Sequence, residues 1–142
     1  LGAYPEPDLL IVGEPSGWDA VTLGYKGRLL AGLALEKPEG HSAGQASSAA
    51  DDLLARYLAL KAHAEGLRAP NSVFDSLQLR LQSFNTTSDG LTQTAEALVG
   101  YRLPPSLRPE RLEREVRGVL GAGVSVRVLA AERAVRSAKD HR

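Results

Sequence analysis

Two hydrophobic periods alternate along the chain, and their order limits the fold more than any other feature of the sequence. In four segments apolar residues recur at every second position, as in a β-strand with one buried face. These segments are residues 20–35, 77–82, 94–103 and 124–128. Between them, residues 47–65 and 109–120 show helical spacing. The order predicts an α+β, ferredoxin-like βαββαβ fold, in which a four-stranded antiparallel sheet carries two helices on one face.

Local signals mark the ends of both predicted helices. Ser48 followed by Asp51 is a typical N-terminal cap, and Gly66 ends the first helix. Pro109 suits the first turn of the second helix, which Gly121 closes. The apolar stripe predicted for the first helix consists of Ala50, Leu53, Leu54, Tyr57, Leu58, Leu60 and Ala64. We expect this stripe to face the sheet.

Composition narrows the classes of function. The chain has 142 residues, the size of one ordinary domain, and 43% of them are hydrophobic. Lys plus Arg and Asp plus Glu both number 17, which argues against nucleic acid or an anionic membrane as the main partner. Cysteine is absent, so any metal must be held by carboxylate and imidazole groups.

The N-terminal segment does not fit the predicted sheet. Residues 9–12 form a run that is apolar on both faces, as in a buried strand of a parallel sheet, and Gly13 ends it. Such a strand needs helices on both sides, which no nearby segment supplies. The chain also begins at Leu1 and contains no Met. We therefore expect residues 1–17 to be a strand stub of an absent catalytic α/β domain.

Four side chains are candidates for chemistry. Glu14 follows the apolar run, at the place where open α/β sheets put their sites, but it would equally suit a surface turn. His41 lies in a loop directly after a predicted strand and would otherwise be an exposed loop histidine. Asn85 and Arg102 fall near the ends of two neighbouring strands and could lie close together. Their alternative is a turn Asn and an exposed sheet Arg.

Longer motifs surround these candidates. Residues 11–29 contain Ser-Gly-Trp-Asp at 16–19 and Thr-Leu-Gly-Tyr-Lys-Gly-Arg at 22–28, and Gly-His-Ser follows at 40–42. This order resembles the co-catalytic zinc amidohydrolases, which include acetylornithine deacetylase, succinyl-diaminopimelate desuccinylase and aminoacylase. Within them it looks most like the enzymes that free lysine from an amino-group carrier protein. The resemblance covers about residues 8–142 and is looser over 85–103.

The resemblance implies roles for the four candidates. Glu14 of Gly-Glu-Pro would be a ligand of a centre holding two Zn²⁺ ions, with Co²⁺ as the other metal expected there. His41 would enter the partner subunit's site and donate to the oxyanion of the tetrahedral intermediate. Relatives often have a proline shortly after His-Ser, where this chain has Ala43 and Gly44. Asn85 and Arg102 would bind the carboxylate of the substrate.

The resemblance also implies a domain plan. Residues 1–17 would belong to the catalytic domain, 18–131 would be the lid or dimerisation domain, and 132–142 would be a linker or the start of another helix. The lids would form a homodimer in a cytoplasmic enzyme of lysine or arginine biosynthesis, whose substrate is a small acidic carrier protein or an acylated amino acid. The isolated chain would be inactive and would bind no metal. The alternatives are an acetylornithine or acetyl-lysine deacetylase and a stand-alone ferredoxin-like association module.

Overall fold

The computed structural model of the chain describes residues 22–40 and 46–138. In this part the chain forms strands and helices in the order that the hydrophobic periods predict. The elements are β1 (Gly24–Tyr25), β2 (Gly27–Pro38), α1 (Ala49–Gly66), β3 (Gln78–Ser88), β4 (Thr92–Leu103), α2 (Pro109–Leu120), β5 (Val124–Glu132) and β6 (Val135–Arg136). The predicted strand stub at residues 9–12 lies outside the described residues.

The four long strands make one antiparallel sheet in the order β3-β4-β2-β5. β2 and β4 are the central pair, aligned from Gly27 opposite Leu103 to Pro38 opposite Thr92. β3 and β5 are the two edges. The register shifts once between β3 and β4, where Gln82 is the additional residue between Leu81 and Ser83. This sheet with two helices is the predicted ferredoxin-like fold, which is thereby confirmed.

The hydrophobic core lies between one face of the sheet and the two helices. Alternate positions of β2 and β4 supply most of it, and each helix adds one stripe. The buried hydrophobic residues of these elements are Leu29, Ala31, Leu33 and Leu35; Ala95, Ala97, Val99, Tyr101 and Leu103; Ala49, Leu53, Leu60 and Ala64; and Leu112, Val116 and Leu120. The period of two therefore assigns one face of each central strand to the core.

Both helices begin and end where the sequence predicts. The Ser48 hydroxyl accepts from the Asp51 amide at 3.1 Å, and the Ser48 amide donates to the Asp51 carboxylate at 3.1 Å. This capping box pairs two amides at the start of α1. Pro109 is the first residue of α2, and Gly121 follows the helix with a φ of 68°, a conformation that favours glycine.

The apolar stripe of α1 is narrower than the sequence predicts. Leu53 and Leu60 are buried, whereas Leu54 and Leu58 are 44% and 53% exposed. Only one side of the helix is buried, so Leu54 and Leu58, two of the seven predicted residues, lie on its solvent-exposed side. Neither helix in the described part of the chain is both long and apolar enough to cross a membrane.

The two ends of the described chain run side by side. Gly24 pairs with Arg136 and Tyr25 with Val135, and the Ser137 amide donates to the Leu23 carbonyl at 2.7 Å. Residues 135–136 are therefore strand rather than the start of a helix. The approach is so close that a Cβ atom on Gly24 would lie 2.6 Å from the Val135 carbonyl oxygen.

Candidate substrate-binding face of the sheet

The face of the sheet opposite the two described helices, called the open face below, carries the two described candidates. Asn85 lies on β3 and Arg102 on β4, and both are exposed. They share this face because the alternate positions of their strands point into the core. The other two candidates, Glu14 and His41, lie outside the described residues.

The register separates the two described candidates. Arg102 is opposite Gln78 on β3, whereas Asn85 is opposite Glu96. Glu96 and Arg102 are six positions apart on β4, or about 20 Å at the ordinary rise of a strand. The expectation that Asn85 and Arg102 lie close together is therefore wrong. As ends of neighbouring strands the two residues would face one another, but β3 runs on to Ser88, so Asn85 lies near the far end of the sheet from Arg102.

Other polar residues surround Arg102 instead. Its direct partner on β2 is Arg28, and its direct partner on β3 is Gln78. Direct cross-strand partners on one face have Cβ atoms about 5 Å apart. Two guanidinium groups and one amide therefore form a row across three strands. The sequence alone does not single out Arg28 and Gln78, because only the strand register shows that they adjoin Arg102.

Lys26 lies beside Gln78, at one end of this row. Its ammonium group donates to the Val73 carbonyl at 2.7 Å, to the Ser76 carbonyl, and to Oε1 of Gln78 at 3.0 Å. Partial burial lowers the pKa of Lys26, and the positive charge of Arg102 lowers it further, while Asp75 opposes both effects. Lys26 is therefore a fixed group that orients Gln78.

The row carries positive charge that is not balanced by ion pairs. In the described segments, neither Arg28 nor Arg102 forms an ion pair with a carboxylate. The neighbour of Arg28 on β5 is Glu132, which is also exposed but does not pair with it. Like charges on directly opposed strand positions destabilise a sheet. An arrangement of this kind suits an anionic ligand, and two guanidinium groups suit a carboxylate in particular.

At the opposite end of the sheet, hydrogen bonds fix both sides of the segment that contains His41. On one side, the Glu39 carboxylate accepts from Ser88 and Gln93, which lowers the pKa of Glu39. On the other side, Lys37 donates to the Ser47 carbonyl at 2.7 Å and to the Asp52 carboxylate at 2.6 Å. The residues flanking 41–45 are thus attached to β2, β4 and α1.

The described residues do not by themselves fit a metal centre. No three His, Asp or Glu side chains within residues 22–40 and 46–138 are grouped so that they could hold a metal ion. The proposed ligand Glu14 is not among these residues. The chemistry that the described part supports is anion binding on the open face of the sheet.

Solved structures share this fold. The chain is similar to human carnosine dipeptidase 1, with a TM-score of 0.59 and 12% identity, over 86% of this chain and 40% of that one. It is also similar to the M20 family metallo-carboxypeptidase Sso-CP2 from Sulfolobus solfataricus, with a TM-score of 0.57 and 16% identity, over 90% and 50% of the two chains. At these identities the likeness shows the fold alone. The fold is thus one found within metallopeptidases.

Sequence comparison gives a narrower result, although no protein-family model matches the chain. The chain is 42% identical to LysW-lysine hydrolase of Deinococcus radiodurans over 140 residues, which are 95% of this chain and 39% of that protein. It is 34% identical to a protein of Thermococcus kodakarensis named as a putative LysW-lysine/LysW-ornithine hydrolase, over 75% of this chain and 29% of that protein. The chain is thus similar to a segment of the LysW-lysine hydrolases, and it spans about two fifths of the Deinococcus protein.

Proposed function

We propose that this chain is the lid and dimerisation domain of a metal-dependent amidohydrolase that releases lysine, or ornithine, from an amino-group carrier protein. The observation that carries the proposal is the 42% identity to LysW-lysine hydrolase along 95% of the chain. The shared fold with the metallo-carboxypeptidase agrees with it. The enzyme would act in the cytoplasm, in lysine or arginine biosynthesis, on a bond to a small acidic carrier.

The proposed domain plan assigns residues 1–17 to the catalytic domain, 18–131 to the lid and 132–142 to the linker. The pairing of β1 with β6 supports it, because the chain enters and leaves the sheet at the same place. A domain inserted into another needs its two connections side by side in this way. The chain spans 39% of the length of the Deinococcus relative, as expected for one part of a longer enzyme.

The proposed roles of the four candidate residues follow the resemblance. Glu14 would be one ligand of a centre with two Zn²⁺ ions, or Co²⁺, whose other ligands lie outside this chain. Such a centre polarises the amide carbonyl and activates water. His41 would donate to the oxyanion in the partner's site. Arg102 would bind a substrate carboxylate, and Asn85, given the register, would contact the substrate at a separate place.

A homodimer through the lid is part of the proposal. Among the described residues β3 is an edge strand of the four-stranded sheet, where a second copy would pair. α1 packs over β3 and β4 and exposes Leu54 and Leu58 one turn apart. An exposed apolar pair on the helix that packs over this edge strand suits an interface that joins two sheets. We expect Leu58→Lys to convert a dimer into a monomer in analytical ultracentrifugation, whereas Leu91→Lys, at an exposed turn, leaves the dimer intact.

Two other functions are compatible with this fold. An acetylornithine or acetyl-lysine deacetylase would use the same chemistry on a smaller acyl group, and the names of the curated relatives favour the carrier-linked substrate. A stand-alone association module would keep the fold without hydrolysis. The similarity to hydrolases along 95% of the chain favours the enzyme.

The test uses a full-length protein that carries this chain, loaded with zinc. We expect fast release of lysine from the carrier and slow hydrolysis of N-acetylornithine. The reverse preference would move the assignment to a deacetylase, and no hydrolysis of either substrate would overturn the proposal. The 142-residue chain alone serves as the control, and we expect it to be inactive.

A complementation experiment tests the roles of His41 and Glu14 directly. His41→Ala should lower kcat about 100-fold or more, as expected for loss of an oxyanion donor, and Glu14→Ala should lower it by removing a metal ligand. Mixed dimers of the two variants keep one complete site, because His41 of one subunit serves the metal centre of the other. Random mixing should restore about one quarter of the wild-type activity. If the mixture stays inactive, His41 does not act across the dimer.

A further inference from the structure

The clearest unassigned feature of the described chain is the row of polar residues beside Arg102. We propose that Arg28, Arg102 and Gln78 form a single carboxylate-binding site on the open face of the sheet, so that Arg28 is a further substrate-binding residue. This proposal rests on the proposed function and deepens it. It replaces the pairing of Arg102 with Asn85 by one that the strand register supports.

Arg28, Arg102 and Gln78 occupy directly opposed positions on β2, β4 and β3. With Cβ atoms about 5 Å apart between neighbours, all three side chains can reach a carboxylate above the middle strand. Asn85 cannot belong to the same site, because its partner Glu96 lies six positions from Arg102.

Lys26 orients the side-chain amide of Gln78. Lys26 has only donors, so the Gln78 atom 3.0 Å from its ammonium group must be the amide oxygen. The NH₂ group of the Gln78 amide therefore remains available as a donor. Two carbonyl oxygens also hold Lys26, which fixes the position of the amide that it contacts. The site thus offers two guanidinium groups and one oriented amide, and all three present N–H donors.

Positive charge is concentrated around Arg102. Three cationic groups, Lys26, Arg28 and Arg102, lie together at one end of the open face. Asp75 raises the pKa of Lys26, but it pairs with Arg136 at 3.4 Å. No carboxylate in the described ranges forms an ion pair with Arg28 or Arg102. Placing such groups side by side is unfavourable unless an anion lies between them.

The substrate proposed above offers two carboxylates near its scissile amide. The family resemblance implies an isopeptide link to a C-terminal glutamate of the carrier, so one carboxylate would belong to lysine and the other to that glutamate. Either would match the planar fork of a guanidinium group. Two small probes distinguish the sources: Nα-acetyl-L-lysine carries only the first carboxylate, and N-acetyl-L-glutamine carries only the second. The methyl ester of each probe is its control.

The experiment follows arginine Nε–H and strand amide resonances of the ¹⁵N-labelled 142-residue chain while one probe is added. We expect saturable shifts at Arg28, Arg102 and Gln78 with one of the acids and none with its ester. Arg28→Gln should weaken binding about tenfold or more, in line with loss of a hydrogen bond between charged groups. Arg28→Lys keeps the charge but not the fork, and should give an intermediate loss.

The control is Arg127→Gln, because Arg127 is also an arginine on the open face but lies on β5 opposite Gly32. It should change the affinity less than about twofold at physiological salt, where charges beyond about 8 Å are screened. Equal losses in Arg28→Gln and Arg127→Gln would show general attraction and overturn the site. So would wild-type affinity in a folded Arg28→Gln variant, or the absence of saturable shifts with both acids.

Assays of the full-length enzyme separate this proposal from the proposed function. We expect Arg28→Gln to raise KM for the carrier-linked substrate about tenfold. Hydrolysis with an unchanged KM in this variant would overturn the site and leave the function standing. Carboxylate binding by the chain without hydrolysis by the full-length protein would overturn the proposed function and leave the carboxylate-binding site standing.

Discussion

The two faces of the same sheet differ in almost every property. On the face under the helices, the buried residues of β2 and β4 are Leu, Ala, Val and Tyr, together with Gly27. On the open face, the same strands present the half-buried Arg28 and Leu30 and the exposed Glu96 and Arg102. Because successive side chains alternate, a single strand serves both faces. Stability and ligand binding are therefore encoded in adjacent residues, and each can be altered with little effect on the other.

The largest expected effect tests this separation at two adjacent leucines. Leu29 is 1% exposed in the core, and Leu30 is half-buried on the open face. Leu29→Ala should lower the free energy of unfolding by about 2–5 kcal/mol, because it leaves a cavity. Leu30→Ala should lower it by about 1 kcal/mol or less. Urea unfolding measures both. Equal losses would show that the open face is covered as well as the core.

A second contrast concerns glycines on the central strand. A Cβ atom on Gly27 would lie 2.6 Å from the Glu132 carbonyl oxygen and 2.8 Å from the Ala134 amide. On Gly32 the nearest atom would be the Arg127 carbonyl oxygen at 3.9 Å. Gly27→Ala should therefore cost about 1–3 kcal/mol by forcing backbone atoms apart. Gly32→Ala should be neutral or stabilise by up to about 1 kcal/mol. Thermal unfolding of the two variants compares them, and similar midpoints would contradict the close approach at Gly27.

A smaller effect is expected at the start of α1, on the helix-covered side. Ser48→Ala removes the hydroxyl that caps the helix, which typically costs about 1 kcal/mol. Ser48 also lowers the pKa of Asp51 through its hydroxyl and its amide. A depressed carboxyl pKa contributes stability above the unfolded value, and this contribution is lost as pH falls through the folded value.

The pH dependence of unfolding provides the measurement for this cap. We expect the difference between wild type and Ser48→Ala to be constant near neutral pH and to shrink below about pH 4, where Asp51 becomes protonated. Ala55→Ser, at an exposed position of α1 outside the cap, keeps the capping box and serves as the control for a change of side chain. A difference that does not change with pH would show that Asp51 takes no part in the cap.

The comparison of the two faces also shows what the sequence could and could not predict. Periods of two and 3.6 predicted the strands, the helices and the core stripe of β4. The same periods placed Leu54 and Leu58 in the core, because helical spacing does not show how much of a helix the sheet covers. They also could not show that Asn85 and Arg102 are far apart. That distance depends on the strand register, which the bulge at Gln82 and the length of β3 determine.

The sequence likewise identifies only part of the candidate site. Arg102 could be found from its motif, since a charged residue on the open face of a strand stands out in an alternating pattern. Arg28 and Gln78 could not be linked to it, because they lie 74 and 24 positions away in the chain. Only the pairing of β2, β4 and β3 brings the three together.

The smallest expected effect concerns the hydroxyl of Tyr101, a polar atom buried in the apolar core between β4 and the helices. This residue is fully buried, and its hydroxyl has no hydrogen-bond partner among the described residues. Burial raises the pKa of Tyr101 far above its usual range, with a smaller contribution from Tyr57. A buried hydroxyl without a partner lowers stability, so Tyr101→Phe should leave the free energy of unfolding unchanged or raise it by up to about 1 kcal/mol.

Tyr101→Leu provides the contrast, because it removes most of the ring and should destabilise by more than about 1 kcal/mol. Urea unfolding at neutral pH compares the three proteins. A loss of about 1 kcal/mol or more in Tyr101→Phe would show that the hydroxyl has a partner, and hence that the core face contains a polar contact. Unchanged stability would instead support the division of the sheet into an apolar face that holds the domain together and an open face whose polar groups are available for a ligand.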